Sequence, residues 1–234
     1  MVSGNYTILL VASVLFFLVT SVMAEHPGRA VLEVVMIILF VSAVFTLSKR
    51  KRTSWIALAF IVAAMATRQA GRLTDTLALF VIGRVVLLLI LCAGVLWILR
   101  DVLSSGAVTA NRIIGAVCVY ILFGLAWANL YLIMELLSPG WFSLPEPPAG
   151  DNAALEQSRF YHLLYYSFIT LTTLGYGDIV RKRPPAPILA WLEAVAEQLY
   201  LTVLVPRLVA LQIVGGRYEV QPKPSEPTAN EKKT

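Results

Sequence analysis

Charge is what this 234-residue chain has least of: Asp, Glu, Lys and Arg together make up 14% of it, against about 25% in a soluble domain. A water-facing surface over the whole molecule is thereby excluded. Cysteine is also scarce, and Cys92 and Cys118 both fall inside apolar stretches, where a free thiol behaves as a small hydrophobe. Neither a disulfide nor a metal site is expected from them. No basic patch interleaved with aromatics occurs, so the formal charge of +5 points to loops and a tail on one side of a membrane rather than to nucleic acid. What remains is apolar: 58% of the residues are hydrophobic. The chain reads as an all-α integral membrane protein with the lipid bilayer as its solvent.

Six spans are expected. The first covers 6–24; it has no Lys or Arg ahead of it, which argues against a signal peptide, although Val22-Met23-Ala24 has the small-residue look of a cleavage site. The second, 30–47, carries Glu33 and ends at Lys49-Arg50-Lys51-Arg52, a run that marks a cytoplasmic loop. Counting from that loop puts the N-terminus in the cytoplasm, the third span (55–67) outward, the fourth (73–99) inward, and the fifth (112–137) outward again. A proline- and glycine-rich stretch over 138–156 reads as an extracellular turret. The sixth span, 188–214, returns to the cytoplasm, and 215–234 is polar enough to be a disordered tail. The corresponding domains are a peripheral four-helix bundle (1–100), a cytoplasmic linker (101–111), a pore-forming unit (112–214) and the tail (215–234). A short chain of this organisation suits a prokaryotic inner membrane.

Between the last two spans lies Thr172-Thr173-Leu174-Gly175-Tyr176-Gly177-Asp178. It is polar and glycine-rich at a depth where irregular backbone is tolerated only if protein or water surrounds it. Gly175 and Gly177 can take positive φ without a Cβ penalty, so alternate peptides can turn the same way and line up their carbonyl oxygens. The residues ahead of it, 160–171, form an aromatic run of about three helical turns, too short to span a bilayer, which takes about 20 residues. A re-entrant helix is expected there, with the negative end of its dipole favouring a cation.

Thr173-Leu174-Gly175-Tyr176-Gly177 resembles the selectivity filter of potassium channels, whose TVGYG loop replaces the hydration shell of the ion with backbone carbonyls; leucine stands here in the valine position. The resemblance implies K+ bound by the carbonyls of Thr173, Leu174, Gly175 and Tyr176, with the Thr173 hydroxyl closing the innermost site. It implies filter support from Thr172, from Asp178 in the GYGD form of the motif, and from Tyr165-Tyr166, which looks like the aromatic pair that forms a cuff around the filter. It implies no cofactor, K+ being the permeant ion. One chain supplies one filter strand, so a ring needs three more identical subunits, and a homotetramer with cyclic closure follows.

The six-span, one-pore-loop plan is similar to the voltage-gated cation channel superfamily, but the fourth span has Arg84 and then nothing basic until Arg100. Steep voltage gating takes three to four charges per subunit, each worth about 2.3 kcal/mol per 100 mV. Arg84 is therefore expected in a structural pair, with Glu33 the first candidate partner and Asp75 the second. In the sixth span, the sequence EAVAEQLYL over 193–201 looks like bacterial pore sequences of the form EAVxGQLYL, with Glu197 where a hinge glycine stands. Glu193 and Glu197 share a helix face; no histidine or third carboxylate accompanies them, so catalysis is not expected, and at least one, Glu197 first, is expected to face the ion cavity or the rear of the filter. Pro206 is the expected flexible point near a cytoplasmic gate. Arg181-Lys182-Arg183 is expected to splay toward headgroups or to pair with Glu146, Asp151 or Glu156.

The function these readings favour is passive, potassium-selective conduction, without enzymatic activity and without steep voltage gating. The alternatives are a weakly selective cation channel and a non-conducting membrane scaffold or regulatory subunit.

Overall fold

A computed structural model describes residues 6–23, 62–63, 66–67, 69–71, 73–74, 76–104, 109–145 and 152–219. Five helices organise them: α1 (Tyr6–Met23), α2 (Leu77–Val102), α3 (Ala110–Leu137), α4 (Asn152–Leu171) and α5 (Ala186–Glu219). Stretches of α2, α3 and α5 are long and apolar enough to cross a membrane (Leu77–Val102, Ala110–Leu137, Ala186–Arg207). The second span, most of the third, and with them Glu33 and Asp75, lie outside the described residues.

The chain is hydrophobic nearly all round, so burial, not local amphipathicity, decides which faces meet. Helix α3 is the centre. Cys118, Ala128, Tyr131 and Leu132 along it are fully buried, with α1 and α2 packed on it and α4 laid against it. Helix α1 begins beside the turn between α2 and α3: the Tyr6 hydroxyl donates to Asp101 Oδ2 at 2.5 Å and the Tyr6 amide to Asn111 Oδ1 at 3.0 Å. Its other half reaches α4, where Phe17 meets Phe168 edge to face at 4.8 Å.

Helix α4 approaches α3 closely because Gly124 has no side chain. A Cβ there would lie 2.7 Å from Phe168 Cζ and 2.8 Å from its Cε2, inside any real contact. Gly124→Ala should therefore push α4 off α3, at a cost of about 1–3 kcal/mol, measurable as a lowered thermal midpoint of the detergent-solubilised protein.

Several boundaries differ from the sequence reading. The short helix expected over 160–171 starts at Asn152, so the end of the expected turret, 152–156, is helical. The residues NAALEQSR contain good helix formers, and Ala154 and Glu156 are buried from the first turn onward; their polarity had concealed a helix that packs in the subunit rather than in lipid. The fourth span begins at Leu77 after Thr76, not at 73. The linker is shorter than 101–111, because α2 runs to Val102 and α3 begins at Ala110. Helix α5 starts at Ala186 and continues to Glu219, so 215–219 belong to the helix and not to a tail.

Candidate functional site

The backbone after α4 does something unusual three times in five residues. Thr173, Gly175 and Gly177 have φ of +57°, +51° and +78°, while Leu174 and Tyr176 between them do not take positive φ. Residues of opposite backbone hand thus alternate, which turns successive carbonyls toward one side instead of alternating them as in a strand. The glycines do this freely; for Thr173 the left-handed region costs about 1–2 kcal/mol. Sequence had no signal for Thr173, since threonine does not favour that region.

Local hydrogen bonds hold the start of this loop on the end of α4. The Thr172 amide and hydroxyl both donate to the Phe168 carbonyl, at 2.9 and 2.7 Å, the Thr173 amide to Thr170 O at 3.0 Å and the Gly175 amide to Ile169 O at 3.2 Å. Its far end is held by a short antiparallel bridge. Phe142 pairs with Arg181, the Ser143 amide donates to Val180 O at 2.8 Å, the Lys182 amide to Trp141 O at 2.7 Å, and the Val180 amide to Ser143 Oγ at 2.8 Å. The turn carrying Trp141 is itself fixed by Glu135, whose carboxylate accepts from the Gly140 and Trp141 amides at 2.8 and 3.0 Å. An acid at the end of a span just before Ser138-Pro139-Gly140 was a readable sign of this cap, and the sequence reading passed over it.

Side chains divide sharply. Tyr166 is buried in an aromatic cluster with Tyr131 and Phe142, at 5.5 and 5.1 Å between ring centroids. Tyr165 is partly exposed, with the Asp178 carboxylate beside its hydroxyl. Leu174 and Tyr176 are 58% and 68% exposed in the single subunit. A Cβ added at Gly175 or Gly177 would meet nothing within 4 Å.

Helix α5 presents two faces. Ile188, Leu192, Val195, Leu199 and Val203 are exposed, whereas Ala190, Glu193, Glu197 and Leu204 are buried against the rest of the subunit. Of the two expected placings, the cavity or the rear of the loop, the buried glutamates stand on the side that packs against α3 and α4. Glu193 accepts from the Tyr131 hydroxyl at 2.6 Å and from Ser167 Oγ at 2.5 Å, and Ser167 Oγ also lies 3.0 Å from Gly124 O. One carboxylate thus joins α3, α4 and α5 behind the loop. Glu197 lies one turn further along with Tyr120 beside it, and its Oε2 has no hydrogen-bond partner among the described residues. The Tyr120 hydroxyl reaches Leu171 O, the last carbonyl of α4, at 3.4 Å.

Past these, α5 runs through Pro206 without a break; proline has no N–H, so the carbonyl one turn back loses its helical donor. The next residue, Arg207, donates to the Leu103 carbonyl at the end of α2.

Arg84 is in a structural pair, as expected, and among the described residues its partner is Glu156; Glu33 and Asp75 lie outside them. Its Nε lies 2.6 Å from Glu156 Oε1 on α4. Of Arg181-Lys182-Arg183, the first two are held through their backbone by the bridge to 141–143. Glu146 and Asp151 lie outside the described residues.

A membrane-inserted helix pair enclosing a shorter helix and a loop of alternating backbone hand is the architecture of a pore-loop membrane protein. Residues 115–211, from α3 into α5, match the model of a family described as ion channel. That stretch of the chain is accordingly similar to the domains of that family. Neither a curated protein nor a solved structure matches the chain.

Proposed function

We propose that the protein is a potassium-selective channel in which four identical subunits surround one conduction path, and that it works passively, with no cofactor and no enzymatic step. The observation that carries this reading is the alternation of backbone hand at Thr173, Gly175 and Gly177, in a loop whose sequence is that of a carbonyl-lined filter. In four copies the carbonyls of Thr173, Leu174, Gly175 and Tyr176 would replace the water around K+. The exposed Leu174 and Tyr176 favour the tetramer, because such side chains brace a filter only if a neighbouring subunit covers them. The apolar exposed face of α5 supports the same assembly.

In this reading α4 is the re-entrant pore helix, α3 and α5 are the outer and inner helices, and the charge rule places both termini in the cytoplasm. The Glu197 side chain, with Tyr120 beside it, lies behind the end of α4, where the helix dipole favours a cation. Pro206, with Arg207 tied to Leu103 beyond it, is the point at which α5 would bend to gate the pore. Arg84 is locked in a buried pair and the other basic residue of α2, Arg100, stands in its last turn, so little charge can move with voltage and conductance should vary only weakly with membrane potential.

Purified protein in liposomes, with K+ flux and reversal potentials in mixed K+ and Na+, tests the proposal. Flux with a reversal potential close to that of K+ is expected. A reversal potential unchanged by replacing K+ with Na+ would make it a weakly selective cation channel, and absence of any flux would favour a scaffold or regulatory subunit.

A further inference from the structure

Arg84 does more than find a partner. It is almost wholly buried, its Nη1 donates to Asn129 Oδ1 at 3.2 Å on α3, and its own backbone carbonyl accepts from Asn129 Nδ2 at 2.8 Å. The guanidinium carbon sits 4.4 Å over the ring of Phe160, one turn beyond Glu156 on the same face of α4. The two directional contacts on α4, one ionic and one to a ring face, fix both the position of that helix and its rotation. A helix is stiff along its axis, and Glu156 lies about 24 Å along α4 from the loop that begins at Thr172. At its other end α4 is held by Ser167 on Glu193. Without the Arg84 contact α4 can turn about its own axis and tilt on the Ser167 attachment, and the loop that continues directly from that end turns with it.

We infer that Arg84, on a helix outside the pore-forming unit, is a positioning residue for the ion-selective loop, acting through Glu156 and Phe160 on the orientation of α4. The inference rests on the potassium-channel reading. A span that contributes no gating charge is, in this view, kept charged because the charge holds the filter in register. The strength of a buried pair is not itself the reason, since apolar replacements of both partners are often at least as stable; the directional hold on α4 is.

The test compares K+ to Na+ permeability ratios, from reversal potentials, for assembled channels isolated by size and reconstituted. The wild type comes first: without K+-selective flux the functional reading fails, and this inference with it. Given a selective wild type, Arg84→Gln and Glu156→Gln should each lower the ratio at least tenfold, and Arg84→Lys, which keeps the charge but not the fork that reaches Glu156 and Asn129 together, should lower it less. The reciprocal pair Arg84→Glu with Glu156→Arg should recover part of the loss. Ratios equal to wild type in the single variants would overturn the inference, as would equal, independent losses that add in the double variant. Should the glutamine variants fail to assemble, Arg84→Lys decides alone: an unchanged ratio rejects the positioning role.

Discussion

Gly175→Ala should abolish selective K+ flux, to below a tenth of wild type, although the added methyl would touch nothing in its own subunit. The absence of any neighbour within 4 Å separates the two ways in which such a change can act. Among the described residues sterics is excluded, and what remains is backbone hand: an L-residue at φ +51° costs about 1–2 kcal/mol, repeated four times in the proposed tetramer. Relief of that strain means a φ of the other sign, which turns a carbonyl away from the path. Gly140→Ala is the internal control. Gly140 also has positive φ, +99°, with nothing within 4 Å, but it lies in the turn after α3. Its substitution should lower stability and, because this turn reaches the loop only through the bridge at 141–143, change the permeability ratio far less than Gly175→Ala. Equal loss of flux in both variants would show that alternation in the loop is not what matters.

Glu193→Ala should cost the most stability. Two buried hydroxyls, of Tyr131 and Ser167, donate to this carboxylate, and truncation leaves one without an acceptor, the other with Gly124 O alone, and a cavity where three helices meet. About 2–5 kcal/mol is at stake from the hydrogen bonds, and the thermal midpoint should fall on the order of 10 °C at the few degrees per kcal/mol expected for a chain of this size. Glu193→Gln keeps an acceptor oxygen in the same place and should lose about half as much. An alanine variant as stable as the wild type would show that the three helices are held by packing alone.

The loop, its two glycines and the helix that follows were readable because their constraints are local: a backbone that needs φ above zero asks for glycine at fixed spacing, and a long apolar run needs a membrane. Arg84 was half readable. Its burial demanded a partner, but Glu156 is 72 residues away in sequence, and no local pattern relates positions on two helices with the whole of α3 between them in the chain. The first turns of α4 were misread because hydropathy reports contact with lipid, and Ala154 and Glu156 are buried against protein instead. The faces of α5 were half readable for a related reason: spacing puts Glu193 and Glu197 on one face, but only the fold shows that this face meets Tyr131 and Ser167.

The bridge between 141–143 and 180–182 has a bearing on how this chain can vary. It joins the segment leaving the loop to the segment leaving α3, and so ties the loop's far end independently of sequence length between Leu144 and α4. Lengthening that connection costs little, about 0.6 kcal/mol for each doubling. This connection is therefore the place where an epitope, a fluorophore attachment site or a binding module could be inserted without disturbing conduction.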